Sequence, residues 1–169
     1  MSRNPDGVGI ARLLLRSALG GTMIAHGVRH AQRLEGTARW FDSIGFAEPE
    51  LQARASVAVE IGSGAAVLAG AATPLSASAV VGTMGVAFQT VHRPNGYFVI
   101  NEGWEYVAFV SAAAVALSAL GPGRPSVDGA LGVDDVGTPA GRALVTLLIG
   151  LAGAVAQVKA FWTRPQSVS

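Results

Sequence analysis

From Ile61 to Val91 the chain runs 31 residues without a formal charge or a histidine. The apolar core of a bilayer takes about 20 residues per helix, so this run is too long for one span and fits two. Pro74 interrupts it after Ala71-Ala72-Thr73 and marks a tight turn. One helix is therefore predicted over about Gln52–Ala72 and the next over Pro74–His92. Two more apolar runs follow. Tyr106–Leu120 comes after Glu102 and Glu105, and Ala143–Val158 is framed by Arg142 and Lys159, placed where long basic side chains snorkel to the interface. A first helix is expected over Gly9–Arg33, with Arg12, Arg16, His26, Arg29 and His30 in it.

Composition agrees. Half of the residues are apolar and 14% are charged, against roughly 25% in soluble domains. The 22 glycines suit close helix contacts in lipid. A net charge of +1 offers no electrostatic footprint for nucleic acid, and the absence of Cys removes disulfides, thiolate metal sites and a cysteine nucleophile. The fold class is all-α, a transmembrane helix bundle.

The first helix has early Arg residues and a short apolar core, Ser17–Ala25, like a signal peptide. His26-Gly27-Val28-Arg29-His30 follows instead of a small-residue cleavage site, so the segment is expected to stay. An interfacial amphipathic helix is the alternative. Residues 34–51 mix aromatics with charge, and Trp40, Phe41 and Phe46 read as interfacial anchors. Residues 121–141 read as a Gly- and Pro-rich linker.

Orientation stays open at this level. Arg3, Arg12, Arg16, Arg124 and Arg142 fall at one end of the spans, and Arg29, Arg33, Arg39, Arg54, Arg93, Lys159 and Arg164 at the other. The count leans towards an outside N-terminus.

Alternation of spans needs no orientation. It places the end of the first helix, the start of the second, the end of the third and the start of the fourth on one side. His26 and His30, Glu60, Gln89 and His92, and Glu102 and Glu105 all lie there. His26 and His30 are spaced i,i+4 and share a helix face. An ionisable group inside a span is costly and normally turns to the bundle interior with a partner. Glu60, among small and apolar neighbours, should be protonated or paired. Such a cluster can relay protons, bind a metal or hydrogen-bond a quinone carbonyl. The bland reading is interhelix glue, with His26 as a structural partner of Glu60. Metal binding is weakly motivated, since no second ligand motif accompanies the histidine pair. Arg16 and Asp128 fall at the opposite end and are expected to form a structural polar pair.

The chain resembles the DoxX family of small bacterial and archaeal membrane proteins over about Arg12–Leu131. The resemblance rests on Arg16 followed by His26-Gly27, on Glu60 with a Gly70-x-x-Thr73 turn, on His92-Arg93-Pro94-Asn95-Gly96-Tyr97-Phe98 leading into Gly103-Trp104-Glu105-Tyr106, and on Gly121-Pro122-Gly123-Arg124 with Ser126 and Asp128. The family usually has Lys where His30 stands and an aromatic residue where Pro125 stands. The resemblance implies a four-helix core over residues 1–131, with 132–169 as a linker and an added C-terminal helix whose Gly150 and Ala154 offer a small-residue docking face. It implies a multi-pass protein of a prokaryotic cell membrane, associated with redox chemistry.

Three functions are expected in turn. The first is a non-catalytic accessory subunit of a membrane oxidoreductase or quinone-linked respiratory complex, with other redox subunits or further copies as partners. The second is a stand-alone quinone- or metal-binding protein. The third is a small transporter or proton-conducting bundle. The candidate ligand-binding or proton-relay residues are His26, His30, Glu60, Gln89, His92, Asn95 and Glu105, and quinone is the candidate cofactor.

Overall fold

The computed structural model describes residues 5–165. Arg3, counted above, and the outer ends of both expected segments, 1–4 and 166–169, lie outside them.

The described chain is helical throughout, with α1 (Pro5–Gln32), α2 (Leu34–Ser43), α3 (Pro49–Ala69), α4 (Thr73–Ala87), α5 (Glu105–Leu120), α6 (Val127–Ala130) and α7 (Pro139–Phe161). Three helices are long and apolar enough to cross a membrane: α1 from Gly7, α4 with its continuation to Asn95, and α7. The 21 residues of α3 span about 31 Å, enough for the hydrocarbon core, with Glu50 and Arg54 exposed near its start and Glu60 buried within it. The 16-residue α5 is shorter.

Packing follows the small residues. Helices α1 and α3 approach so closely at Gly20 and Gly64 that a Cβ on Gly20 would lie 2.6 Å from the Gly64 carbonyl oxygen. Two turns further on, Gly27 sits against Ile61 and the Glu60 Cβ, which brings Glu60 up to α1. Helix α4 lies between α5 and α7. It meets α7 at Gly82 against Gly150 and Gly85 against Ala154. The small face of α7, expected to await a partner, is therefore filled within the chain. Thr146 of α7 adds hydrogen bonds to the Pro74 carbonyl (3.1 Å) and the Ser118 hydroxyl (2.7 Å). The main core joins Leu19, Met23, Val67, Val80, Val110 and Leu117 from α1, α3, α4 and α5.

The 34–51 connection differs from expectation. Leu34–Ser43 is a helix with apolar and charged faces, lying against α3. Trp40 stays exposed, but Phe41 and Phe46 are buried with Ala38 and Ala53, and Phe161 and Trp162 pack on them. Phe41 and Phe46 are thus a second small core, not lipid anchors. Phe41 meets Trp40 and Phe46 edge to face, with ring centroids 5.1 and 5.2 Å apart, a geometry that benefits ring quadrupoles.

The turn between α3 and α4 is braced from two sides. Gly70 takes the left-handed conformation that ends α3. Arg16 donates to the last carbonyls of that helix, Val67 and Leu68 (Nη2 to Leu68 at 2.6 Å), and to Pro122 and Pro125. Asp128 accepts from the first donors of α4: Ala72 N at 2.6 Å, Thr73 N at 2.9 Å and the Thr73 hydroxyl at 2.7 Å. The expected Arg16–Asp128 pair makes no direct ion pair among the described residues. Each side chain instead complements one helix terminus, the cation a C-terminus and the anion an N-terminus.

Candidate functional site

At the other end of the bundle α3 and α4 diverge, and a cavity of about 460 Å³ opens between them. Helix α1 contributes His26 and His30, α3 contributes Gln52, Ser56 and Glu60, α5 contributes Tyr106, and α7 contributes Gln157 and Phe161. Past Ala87 the fourth helix widens into a π-turn, Phe88–His92, which carries His92 to the cavity wall. The rest of the lining is largely apolar, including Val59, Met84, Val86 and Val107. Volume and composition match small-molecule sites, apolar walls with a few converging polar groups.

Glu60 is the centre. Only 5% of it is exposed. Its Oε1 accepts a hydrogen bond from Ser56 Oγ one turn earlier, at 2.8 Å. Its Oε2 lies 3.2 Å from His30 Nδ1, within ion-pair distance. That approach is not aligned as a hydrogen bond, and Oε2 has no hydrogen-bond partner. The same Nδ1 lies 3.4 Å from Ser56 Oγ, so His30, Ser56 and Glu60 form one cluster. His26 stacks on Tyr106 with ring centres 6.2 Å apart. Across the cavity Gln157 Nε2 donates to Gln52 Oε1 at 2.9 Å, linking α7 to α3.

Four of the seven candidate residues line this cavity: His26, His30, Glu60 and His92. The other three serve the adjoining loop. The Glu105 carboxylate accepts from Val99 N at 3.0 Å. Asn95 Nδ2 reaches the Val91 carbonyl at 3.2 Å. Gln89 accepts from Arg93. His92 belongs to both, since its Nδ1 meets the Glu102 carbonyl oxygen. The loop closes on itself through Trp104 N to Gly96 O and Glu105 N to Tyr97 O, and a Cβ on Gly103 would lie 2.5 Å from the Gly96 oxygen. The conspicuous motif from His92 to Tyr106 is thus mostly the recipe for a compact loop, with one residue at each end facing the cavity.

Ser56, Gln52 and Gln157 carry no sequence motif, and Tyr106 stands in one without being a candidate site residue. A signal for two of them exists: Gln52, Ser56 and Glu60 are spaced i, i+4, i+8, a polar stripe on one face of an otherwise apolar helix. Gln157 gives no such signal, because it joins the site only through the packing of α7 on α4. Among the described residues no three His, Asp or Glu side chains gather to hold a metal ion.

The family model DoxX matches residues 11–93, which takes in α1 to the end of the π-turn and the cavity residues His26, His30, Glu60 and His92. The later motifs, around Glu105 and Asp128, lie beyond that match. No curated protein and no solved structure matches the chain.

Proposed function

We propose that this membrane protein, which carries a DoxX-family domain over residues 11–93, binds a lipid-soluble ligand of the quinone class in the cavity around Glu60. One observation carries the reading: Glu60 lines a ligand-sized cavity and holds a buried carboxylate oxygen, Oε2, whose nearest polar neighbour, His30 Nδ1 at 3.2 Å, is not aligned to donate to it. A buried polar atom left unsatisfied costs about 1–3 kcal/mol, so its persistence needs an explanation. A quinol hydroxyl would donate to it. His30 and His26, each able to donate or accept according to tautomer, suit a quinone carbonyl. The apolar walls suit a ring with an isoprenoid tail.

The surroundings of the cavity support a ligand arriving from lipid. Leu51 and Val59 are cavity residues that are also exposed on the outer side of α3. Helices α3 and α7 hardly touch, and the Gln52–Gln157 hydrogen bond bridges the gap between them.

Imidazole and carboxylate groups exchange protons, not electrons. Turnover of a bound quinone therefore calls for an electron carrier on another chain, which is what favours the second reading, an accessory subunit of a membrane oxidoreductase or respiratory complex. Copurification with larger redox subunits from native membranes tests that reading by itself.

The ligand reading is tested with purified protein in lipid nanodiscs, titrated with a short-chain benzoquinone and its quinol while the thermal midpoint is followed. Saturable stabilisation is expected for the parent chain. Glu60→Leu, which fills the same space without an acceptor, should abolish it. Equal stabilisation of the two proteins would sink the proposal.

A further inference from the structure

We infer that the cavity opens toward the cytoplasmic side of the membrane, so that the His30–Glu60 pair exchanges protons with cytoplasmic water. The orientation stands on two observations of its own, and only its consequence for protons rests on the ligand reading.

The first observation is where most of the exposed positive charge lies. Of the twelve Lys and Arg residues, Arg29, Arg33 and Arg39 follow or close α1 on the cavity side. Arg54 lies in the first turns of α3, Arg93 follows the π-turn, and Lys159 and Arg164 close α7. All seven are exposed at the cavity end of the bundle. Positive residues close to span ends are retained on the cytoplasmic side.

The second observation removes the competing charge. At the opposite end Arg16 is buried on the carbonyls that finish α3. Arg12 donates to the Leu120 carbonyl at 2.6 Å, and Arg142 to those of Ser118 at 3.0 Å and Ala119 at 2.8 Å, so both cap the end of α5. Arg124, 3.5 Å from Asp134, is among the described residues the one exposed cation at this end that caps no helix, and its pairing is matched at the cavity end by Arg39, 3.9 Å from Glu35. A helix C-terminus attracts a cation on either side of a membrane, so these three caps are explained by local structure and need not report topology. The raw count, five against seven with Arg3 included, understates the asymmetry for this reason.

His30 then stands between the two phases. Its side chain is 27% exposed, while that of Glu60 behind it is 6% exposed. The ionisable groups facing the pair are His26 from α1, Tyr106 from α5 and His92 from the π-turn; α4, the π-turn and α7 present the neutral Thr83, Thr90 and Gln157. His30 is the more accessible member of the pair.

The natural chain has no Cys, so single-cysteine variants report topology directly. Ser43→Cys lies at the end of α2, at the cavity end, and Asp135→Cys lies before α7, at the other; both positions are exposed. Spheroplasts of a bacterial host expressing each variant are treated with a membrane-impermeant maleimide, before and after permeabilisation. The expected result is full labelling of Asp135→Cys in intact spheroplasts and labelling of Ser43→Cys only after permeabilisation. The reverse pattern, or labelling of both in intact spheroplasts, overturns the orientation. Thr163→Cys and Val136→Cys, both at exposed positions, repeat the comparison if either first variant fails to reach the membrane. The expected labelling together with failed quinone titration would remove the ligand reading and leave the orientation standing.

Discussion

Replacing Asp128 with Ala should loosen the turn that joins α3 to α4, although residue 128 is more than fifty positions away in sequence. The side chain is 5% exposed and accepts three hydrogen bonds, from Ala72 N, Thr73 N and the Thr73 hydroxyl. Losing a helix N-cap typically costs about 1 kcal/mol, and each buried donor left without a partner roughly 1–3 kcal/mol more. Over three donors these terms reach roughly 4–10 kcal/mol, and the low end, about 4 kcal/mol, falls in the roughly 3–5 kcal/mol that breaking a buried ion pair costs. At about 2–4 °C per kcal/mol for a chain of this size, the thermal midpoint in mild detergent should fall by roughly 10 °C. Tryptophan fluorescence reads it, since the chain has three Trp. Arg16→Met should cost a comparable amount by freeing the carbonyls of Val67 and Leu68. The two side chains brace one turn without touching, so the double variant should lose less than the sum, with a coupling of about 0.5–3 kcal/mol. A midpoint for Asp128→Ala within about 2 °C of the parent would refute this reasoning, because it implies donors that never needed the carboxylate.

Three further outcomes follow from packing and polar contacts. Gly150→Leu should destabilise by at least about 1–3 kcal/mol, since even its Cβ would sit 2.7 Å from the Val81 Cβ, whereas Gly153→Leu, with nothing within 4 Å, should leave the midpoint unchanged. Thr146→Val, which deletes the bonds to Pro74 and Ser118, should cost only about 0.6–1.7 kcal/mol in thermal melts, the range of single hydrogen bonds between membrane helices. Gln157→Leu breaks the bridge to Gln52 and should speed quinone release in stopped-flow displacement without abolishing binding.

Much of the bundle was legible because the bilayer imposes a length rule. The charge-free run from Ile61 to Val91 with Pro74 inside it requires two antiparallel helices, and α3 and α4 are those helices, shifted by a few residues at their ends. Alternation of spans then brings His26, His30, Glu60 and His92 to one end without any knowledge of contacts. What sequence did not reveal depends on packing. Leu34–Ser43 carries Gly36 and mixed charges, which obscure a helix whose apolar face is set by α3 and α7. Phe41 and Phe46 have the composition of interfacial anchors, yet Ala53, Phe161 and Trp162 cover them. Gly150 and Ala154 look like an open face until Gly82 and Gly85 are seen to occupy it. Glu105 and Asn95 sit in the most distinctive motif of the chain and serve its loop, because a loop between spans must satisfy its own backbone near the membrane.

The ligand itself gives the most direct test. The protein is purified in mild detergent from membranes that contain quinone, washed, and extracted, and the extract is quantified by liquid chromatography and mass spectrometry for the parent chain and for Glu60→Leu at equal protein. A near-stoichiometric quinone in the parent, reduced to background in the variant, is the predicted result. Equal quinone in both, or background levels in both from a protein that also ignores added quinone, would contradict a ligand site at Glu60.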